Sequence, residues 1–554
     1  MRRSWQGLLT LGALLLMVGR GEAVPVGLDA GAIAAGVDQD REWVPRPDEP
    51  DVRVDLGRPE EHAAGVRIFV KRIRVTGQDV LPESAMAALT AKYEGKELSF
   101  GDLQHAAATI TDYFHVQGYM TAIAYLPEQE VIDGEVTIQV LPGRYGAISY
   151  DNHSALTTER AAGLAHAIRS EGYILRGEMD RVLLILNDVP GIRVHAYLSP
   201  GEKTGTADSR FFMETTERSG GAAYVDNYGS RFTGRWRIGG TYHWNNLTHV
   251  GDQLQVGYMQ TFGARLHNYD VRYELPVGNE GTFGGIEYGW MDYRLGKEYT
   301  PYDATGSVQN WRLYTRTPGK RTLNNNIYWR LSVNHSALTD RIGAVGYEAK
   351  KHAAFIGLGF DGDYRTGKAA SSYKVTHTLG WLTGDNDYAR SAMHAADTAG
   401  LFQKTKAELY HIQRLAPGVL LHLSLTGQYA WTNLDSSERL YIGGYNAVRA
   451  FPQGEAGGDL GLLGMAELRC QFSDPRWQLA AFYDAGWVRF RRQNTAGGEN
   501  SRTLSGAGLG LIWTNRRTAS YARLDYAFPL GSRRSETYGE RIGGTWWFQF
   551  VQKI

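Results

Sequence analysis

Arg449 and Asp484 are the side chains whose setting most demands a partner. Arg449 lies in Tyr441–Asp459, a glycine-rich, polar run that is unsuited to a spanning strand and reads as a long loop. Asp484 lies in a strand-like segment where Trp477, Leu479, Ala481, Tyr483, Ala485 and Trp487 share one parity and Phe482, Asp484 and Gly486 the other. A guanidinium drawn in from solvent needs a carboxylate, because an unpaired buried charge is costly. Asp484 is the candidate, and the chemistry on offer is an ion-pair latch between loop and wall rather than bond making. Spacing alone leaves the blander alternative open, a solvated loop cation and an ordinary interior acid.

Reacting constellations are sparse by comparison. The 15 histidines include no His-Glu-x-x-His, and no Gly-x-Ser-x-Gly occurs, so neither a zinc protease nor a hydrolase elbow is supported. Gly506-Ala507-Gly508-Leu509-Gly510 copies half of a dinucleotide fingerprint, but it falls between strands with no helix after it, and structural glycines are the expected reading. His105 and His115 are expected on a helix surface, and Cys470 as an inert thiol sharing an apolar face with Leu468 and Phe472. No enzyme activity, metal or cofactor is expected.

A latch needs a wall, and from about residue 216 to the end the sequence alternates at period two. Trp236, Ile238, Tyr242 and Trp244 oppose Arg235, Arg237, Thr241 and His243. Tyr269, Val271, Tyr273 and Leu275 oppose Asp270, Arg272 and Glu274, and Ile327, Trp329, Leu331 and Val333 oppose Tyr328, Arg330, Ser332 and Asn334. Strands of a soluble sandwich run about five or six residues. Here they run about ten, with charge on the polar face and Trp or Tyr near the ends of the apolar one, as a membrane barrel requires. Roughly 340 residues at about 20 to 22 per strand and loop give about 16 strands. The last segment, Thr545–Ile554, with Trp546, Phe548 and Phe550 on the lipid parity, has the form of a closing strand. The expected fold class is therefore a transmembrane β-barrel over 216–554.

Arg2 and Arg3, the apolar run Leu8–Val18 and the small residues Gly21 and Ala23 read as a signal peptide over 1–23. A weakly amphipathic helix is expected within 24–43, and the proline-rich, charged stretch after it makes 44–66 an extended linker. Two small α+β units follow. The first, 67–142, has Leu103, Ala107, Ile110 and Phe114 at helical spacing behind Ser99, then Val136, Ile138 and Val140 alternating. The second, 143–215, has Met179, Val182, Leu183 and Leu186 on one helical face, then a strand Ile192–Leu198 that includes Val194. Lys+Arg and Asp+Glu balance at 59 each, which gives no basis for a nucleic-acid partner. The single cysteine excludes an internal disulfide framework.

Val448-Arg449-Ala450-Phe451 and Phe482-x-Asp484-x-Gly486 resemble the signature pair of the two-partner-secretion transporters (the TpsB family), the haemolysin and filamentous-haemagglutinin secretion/activation proteins. The first matches a Val-Arg-Gly-aromatic motif on a loop folded into the barrel, the second a wall motif. Ala450 stands where the family usually has Gly, which bears on the loop backbone at that residue. The resemblance implies two periplasmic polypeptide-transport-associated (POTRA) modules, a plug helix and a 16-stranded barrel in the outer membrane. It also implies export of an unfolded partner, a large secreted β-helical protein, and leaves open whether that partner is activated or only moved. A monomer in outer-membrane lipid is expected, without cofactor. The client is expected to add a strand to an exposed sheet edge, with Val136, Ile138, Val140, Ile192 and Val194 as candidate docking positions. Its folding outside the cell is the expected driving force. The main competing reading is an insertase that assembles other barrels, which typically carries more periplasmic modules. A diffusion porin needs neither modules nor an inward loop, and a secreted enzyme lacks a catalytic set.

Overall fold

The computed structural model describes residues 29–39, 52–54, 67–494, 497–531 and 534–554. The expected signal segment, and the expected linker apart from Val52–Val54, lie outside them. Within the expected helical segment 24–43, the described helix is Ala30–Gln39.

The first α+β unit places helices Glu83–Thr90 and Phe100–Val116 over strands Arg72–Thr76, Glu135–Leu141 and Ile123–Tyr125, which pair in that order. The second helix starts where Ser99 and Asp102 satisfy each other's backbone N–H groups, at 2.8 and 3.1 Å, a reciprocal capping box. The side-chain and backbone hydrogen bonds from Ser99 hold the Asp102 carboxyl below the usual carboxylate range. Ile110 and Phe114 are fully buried against Val136, Ile138 and Val140.

Strand order closes the docking positions expected in the first unit. Val136, Ile138 and Val140 form the core of their unit, and their strand is the middle one of its sheet, parallel to Arg72–Thr76 and antiparallel to Ile123–Tyr125. Ile192 and Val194 are likewise core residues of the second unit. Their strand pairs with Thr206–Thr215 on one side, and on the other Val52–Val54 lies against Ala196–Leu198 only, so it does not cover the edge at Ile192 and Val194. Alternation marks the face that meets the helices, whereas edge status depends on strand order, which periodicity does not encode.

The barrel closes with 16 antiparallel strands, from Ser219–Asp226 to Thr545–Lys553, and these two pair through Ala222–Asp226 and Gln549–Lys553. Strands range from 8 to 19 residues, longer than the expected ten in many cases. About ten residues suffice to cross the hydrocarbon layer, so the excess extends into water beyond it. Outward parity holds where it was read: Trp329, Leu331 and Val333 are exposed, as are Trp477, Leu479, Tyr483 and Trp487, while Phe482 and Asp484 are buried.

The second unit is clamped to the barrel rim by charge. Asp188, capping helix Arg176–Asn187, receives Nε and Nη2 of Arg321 at 2.9 and 2.8 Å, and Arg321 also donates to Asn326. Side-chain exposure is only 13% for Arg321 and 9% for Asp188, so solvent screens the pair weakly. Removing one partner of such a pair costs about 3 kcal/mol or more. Asp188→Ala is therefore expected to loosen the unit from the barrel, read as faster protease cleavage after Gly191 in detergent-solubilised protein; unchanged cleavage would contradict the clamp.

Candidate functional site

The loop joining strands Val419–Ala430 and Leu460–Gln471 turns into the barrel instead of away from it. Its neck is a two-residue ladder, Leu440–Tyr441 against Gly457–Gly458. Beyond it, Val448 N–H donates to Ile442 at 3.0 Å and folds the tip back on itself. At the tip Val448, Ala450 and Phe451 are fully buried and Arg449 is 3% exposed.

Arg449 meets Asp484 on the neighbouring wall through three bonds: Nε to Oδ2 at 2.9 Å, Nη2 to Oδ1 at 2.8 Å, and its own backbone N–H to Oδ2 at 3.2 Å. Nη1 reaches Glu467 at 2.6 Å, and the guanidinium lies over the Phe482 ring, 3.4 Å from its centroid. Arg523 bonds both Glu467 and Asp525, at 2.7 and 2.9 Å, and Arg469 bonds Glu467 at 2.6 Å. Three guanidiniums thus face three carboxylates, drawn from the loop and three wall strands. Charge balance and bidentate geometry are what make such a buried cluster tolerable.

Other anchors hold the loop along its length. Trp547 Nε1–H donates to the Arg449 carbonyl at 2.6 Å, and Thr545 Oγ1–H to the Ala450 carbonyl at 3.1 Å, both from the closing strand. Buried Glu455 accepts from Ser535 Oγ and from the backbone N–H groups of Glu536 and Thr537, and pairs with Arg502 at 2.7 Å. Asp459 accepts from Arg439 and from the Arg492 N–H. Ala450 keeps an ordinary negative φ, so its replacement of the usual Gly imposes no backbone strain.

Helix Ala30–Gln39 lies within the same lumen. Ala30 N–H donates to Asp340 Oδ1 at 2.8 Å, placing a carboxylate at the positive end of the helix, and Asp29 accepts from Ala32 N–H. Ile33 packs with Met259, Leu266 and Met291 of the inner wall. Gly31 abuts Ser436 and Ser437 at the root of the inward loop.

The structure thus brings together the four loop residues Val448, Arg449, Ala450 and Phe451 and the wall residues Phe482, Asp484 and Gly486; a Cβ on Gly486 would stand 2.9 Å from that of Ile442. Sequence reasoning missed Glu467, Arg523, Asp525 and Trp547. The available signal was parity: each carries a charge or a large polar ring on the inward side of a strand. The glycines 506–510 do not fall between strands but inside strand Ser501–Asn515.

A family model described as haemolysin secretion/activation protein ShlB/FhaC/HecB matches residues 213–512, and a POTRA domain of ShlB type matches 68–143. The heme/hemopexin transporter protein HuxB of Haemophilus influenzae (strain 86-028NP) is 30% identical over 463 residues, 82% of this chain and 81% of that protein. The outer membrane transporter CdiB of Dickeya dadantii (strain 3937) is 24% identical over 74% of this chain and 73% of that one. The solved structure of CdiB from Escherichia coli shares the fold, with a TM-score of 0.69 at 21% identity over 90% of this chain and 93% of that one. The chain belongs to the haemolysin secretion/activation family of two-partner-secretion transporters, outer-membrane barrels with periplasmic POTRA modules that export a partner protein.

Proposed function

We propose that the partner leaves through the lumen, and that the inward loop and the helix Ala30–Gln39 are the two obstructions it displaces. The observation that carries this reading is the loop tip, fully buried in the barrel and latched through Arg449 to Asp484 and Glu467. A multidentate ion pair is a reversible hold: it fixes one geometry strongly, yet re-forms once water and client have passed. The partner is a large secreted β-helical chain, captured unfolded in the periplasm by strand addition. With the middle strand Glu135–Leu141 closed to it, the outer strand Ile123–Tyr125 is the surface on offer in the first unit, where Ile123 and Tyr125 are exposed, and the edge at Ile192 and Val194 serves in the second. Folding of the client outside the cell drives the movement, and the chain works as one barrel in lipid, a conduit without a bond-making step of its own.

A crosslink tests the displacement. A Cβ built on Gly31 stands 2.6 Å from the Ser437 backbone nitrogen and 2.8 Å from the Ser437 Cβ, so the helix must move off by about 1 Å, which also brings the Cβ pair to the span of about 3.8 Å across a disulfide. In a Cys470→Ser background, Gly31→Cys with Ser437→Cys is expected to abolish export when oxidised and to regain it on reduction. Full export with the crosslink formed would sink the proposal.

A further inference from the structure

Strand Ser501–Asn515 carries Gly506, Gly508 and Gly510 at every second position. Glycine inside a strand weakens it and often marks a close approach by another part of the chain. All three do so here. A Cβ added at Gly506 would overlap the Ala450 methyl; one at Gly508 would overlap the Tyr526 carbonyl oxygen and Cζ of Phe482; one at Gly510 would overlap Asp525 Oδ1. Ala450 follows Arg449 in the chain, Phe482 is the ring beneath its guanidinium, and Asp525 is the carboxylate 3.5 Å from its Nη1. Each glycine therefore seats one neighbour of Arg449.

We propose that Gly506 is a positioning residue for the inward loop, forming a size-matched contact with Ala450 that sets how deep Arg449 enters the cluster. The Ala450 methyl needs a vacancy in the facing wall, and Gly506 provides it. The contact is selective for combined volume. With a methyl at Gly506 and none at Ala450, the closest remaining approaches are 3.2 Å to the Phe528 carbonyl and 3.6 Å to the Ala450 Cα, tight but tolerable. With methyls on both, the loop must withdraw, because close-packed surfaces do not deform smoothly.

The inference rests on the reading of the loop as a lumen obstruction, and two readouts separate them. In planar bilayers, Gly506→Ala is expected to raise mean conductance as the loop withdraws, and in cells to cut export by about tenfold or more, the ordinary effect of overpacking a close contact. Adding Ala450→Gly to Gly506→Ala is expected to reverse the conductance change and to restore export about fivefold or more over Gly506→Ala alone. Conductance that Gly506→Ala leaves unchanged, or that Ala450→Gly does not bring back, overturns the pairing. A conductance change with reversal but without an export change upholds the pairing and removes the requirement for the loop in export. Should Gly506→Ala fail to assemble, Ala450→Val enlarges the contact from the loop side with the wall intact; raised conductance then supports the pairing and wild-type conductance overturns it.

Discussion

Arg449→Ala is expected to reduce export about tenfold or more while the barrel still assembles, because the displaced loop then no longer returns to one fixed geometry; breaking a buried pair weakens that hold by about 3–5 kcal/mol. The barrel should survive because its ladders do not involve the loop, whereas Asp484, Glu467 and Asp525 lose one of the three cations that balance them, leaving only Arg469 and Arg523. Arg449→Lys should fall between wild type and alanine. One ammonium cannot reproduce the fork that meets Asp484 through Nε and Nη2 and Glu467 through Nη1. The exchange Arg449→Asp with Asp484→Arg should not rescue, since the new loop carboxylate would face Glu467 and Asp525. Secreted partner in the medium, measured against heat-modifiable barrel in the membrane, checks all three; wild-type export by the alanine variant, or rescue by the exchange, would count against the latch.

Trp547→Ala should destabilise the barrel by about 3–5 kcal/mol, the range for removing a large buried aromatic side chain. Trp547 is 2% exposed, packs edge-on against Tyr228 and Tyr445, and donates to the Arg449 carbonyl. It sits on the closing strand and meets Tyr228 across the seam between the barrel's ends, so its loss acts on that seam as well as on the loop. Trp547→Phe separates the two contributions. It keeps most of the ring but leaves the Arg449 carbonyl without its donor, at about 1–3 kcal/mol. The unfolding midpoint in detergent should therefore order wild type, phenylalanine, alanine, and export should fall already in the phenylalanine variant. A phenylalanine variant matching wild type in both would place the value of Trp547 in packing alone.

Much of this protein was legible as pattern. Period-two alternation in segments such as Trp477–Trp487 assigned the wall and its inward side, and the helical spacing of Leu103, Ala107, Ile110 and Phe114 assigned a packed helix. The Val448–Phe451 and Phe482–Gly486 motifs named the loop and the wall that meets it, and the departure at Ala450 was visible as a single letter.

Other features depended on which segments lie side by side. Val136 reads as part of a docking strand because periodicity reports a side chain's face and is silent on its strand's neighbours; pairing with Arg72–Thr76 and Ile123–Tyr125 closed both of its edges. Glu467, Arg523, Asp525 and Trp547 looked like ordinary inward residues until barrel closure carried them to one guanidinium. The glycines at 506, 508 and 510 looked like strand spacers until Ala450, Phe482 and Asp525 were found resting on them. Local sequence determined which elements form and which way each side chain points, because those follow from backbone geometry within a few residues. Which charges share a site, and which gap receives which methyl, was decided only by closure of the sheet, since those contacts join residues tens of positions apart whose fit is a property of volume and distance.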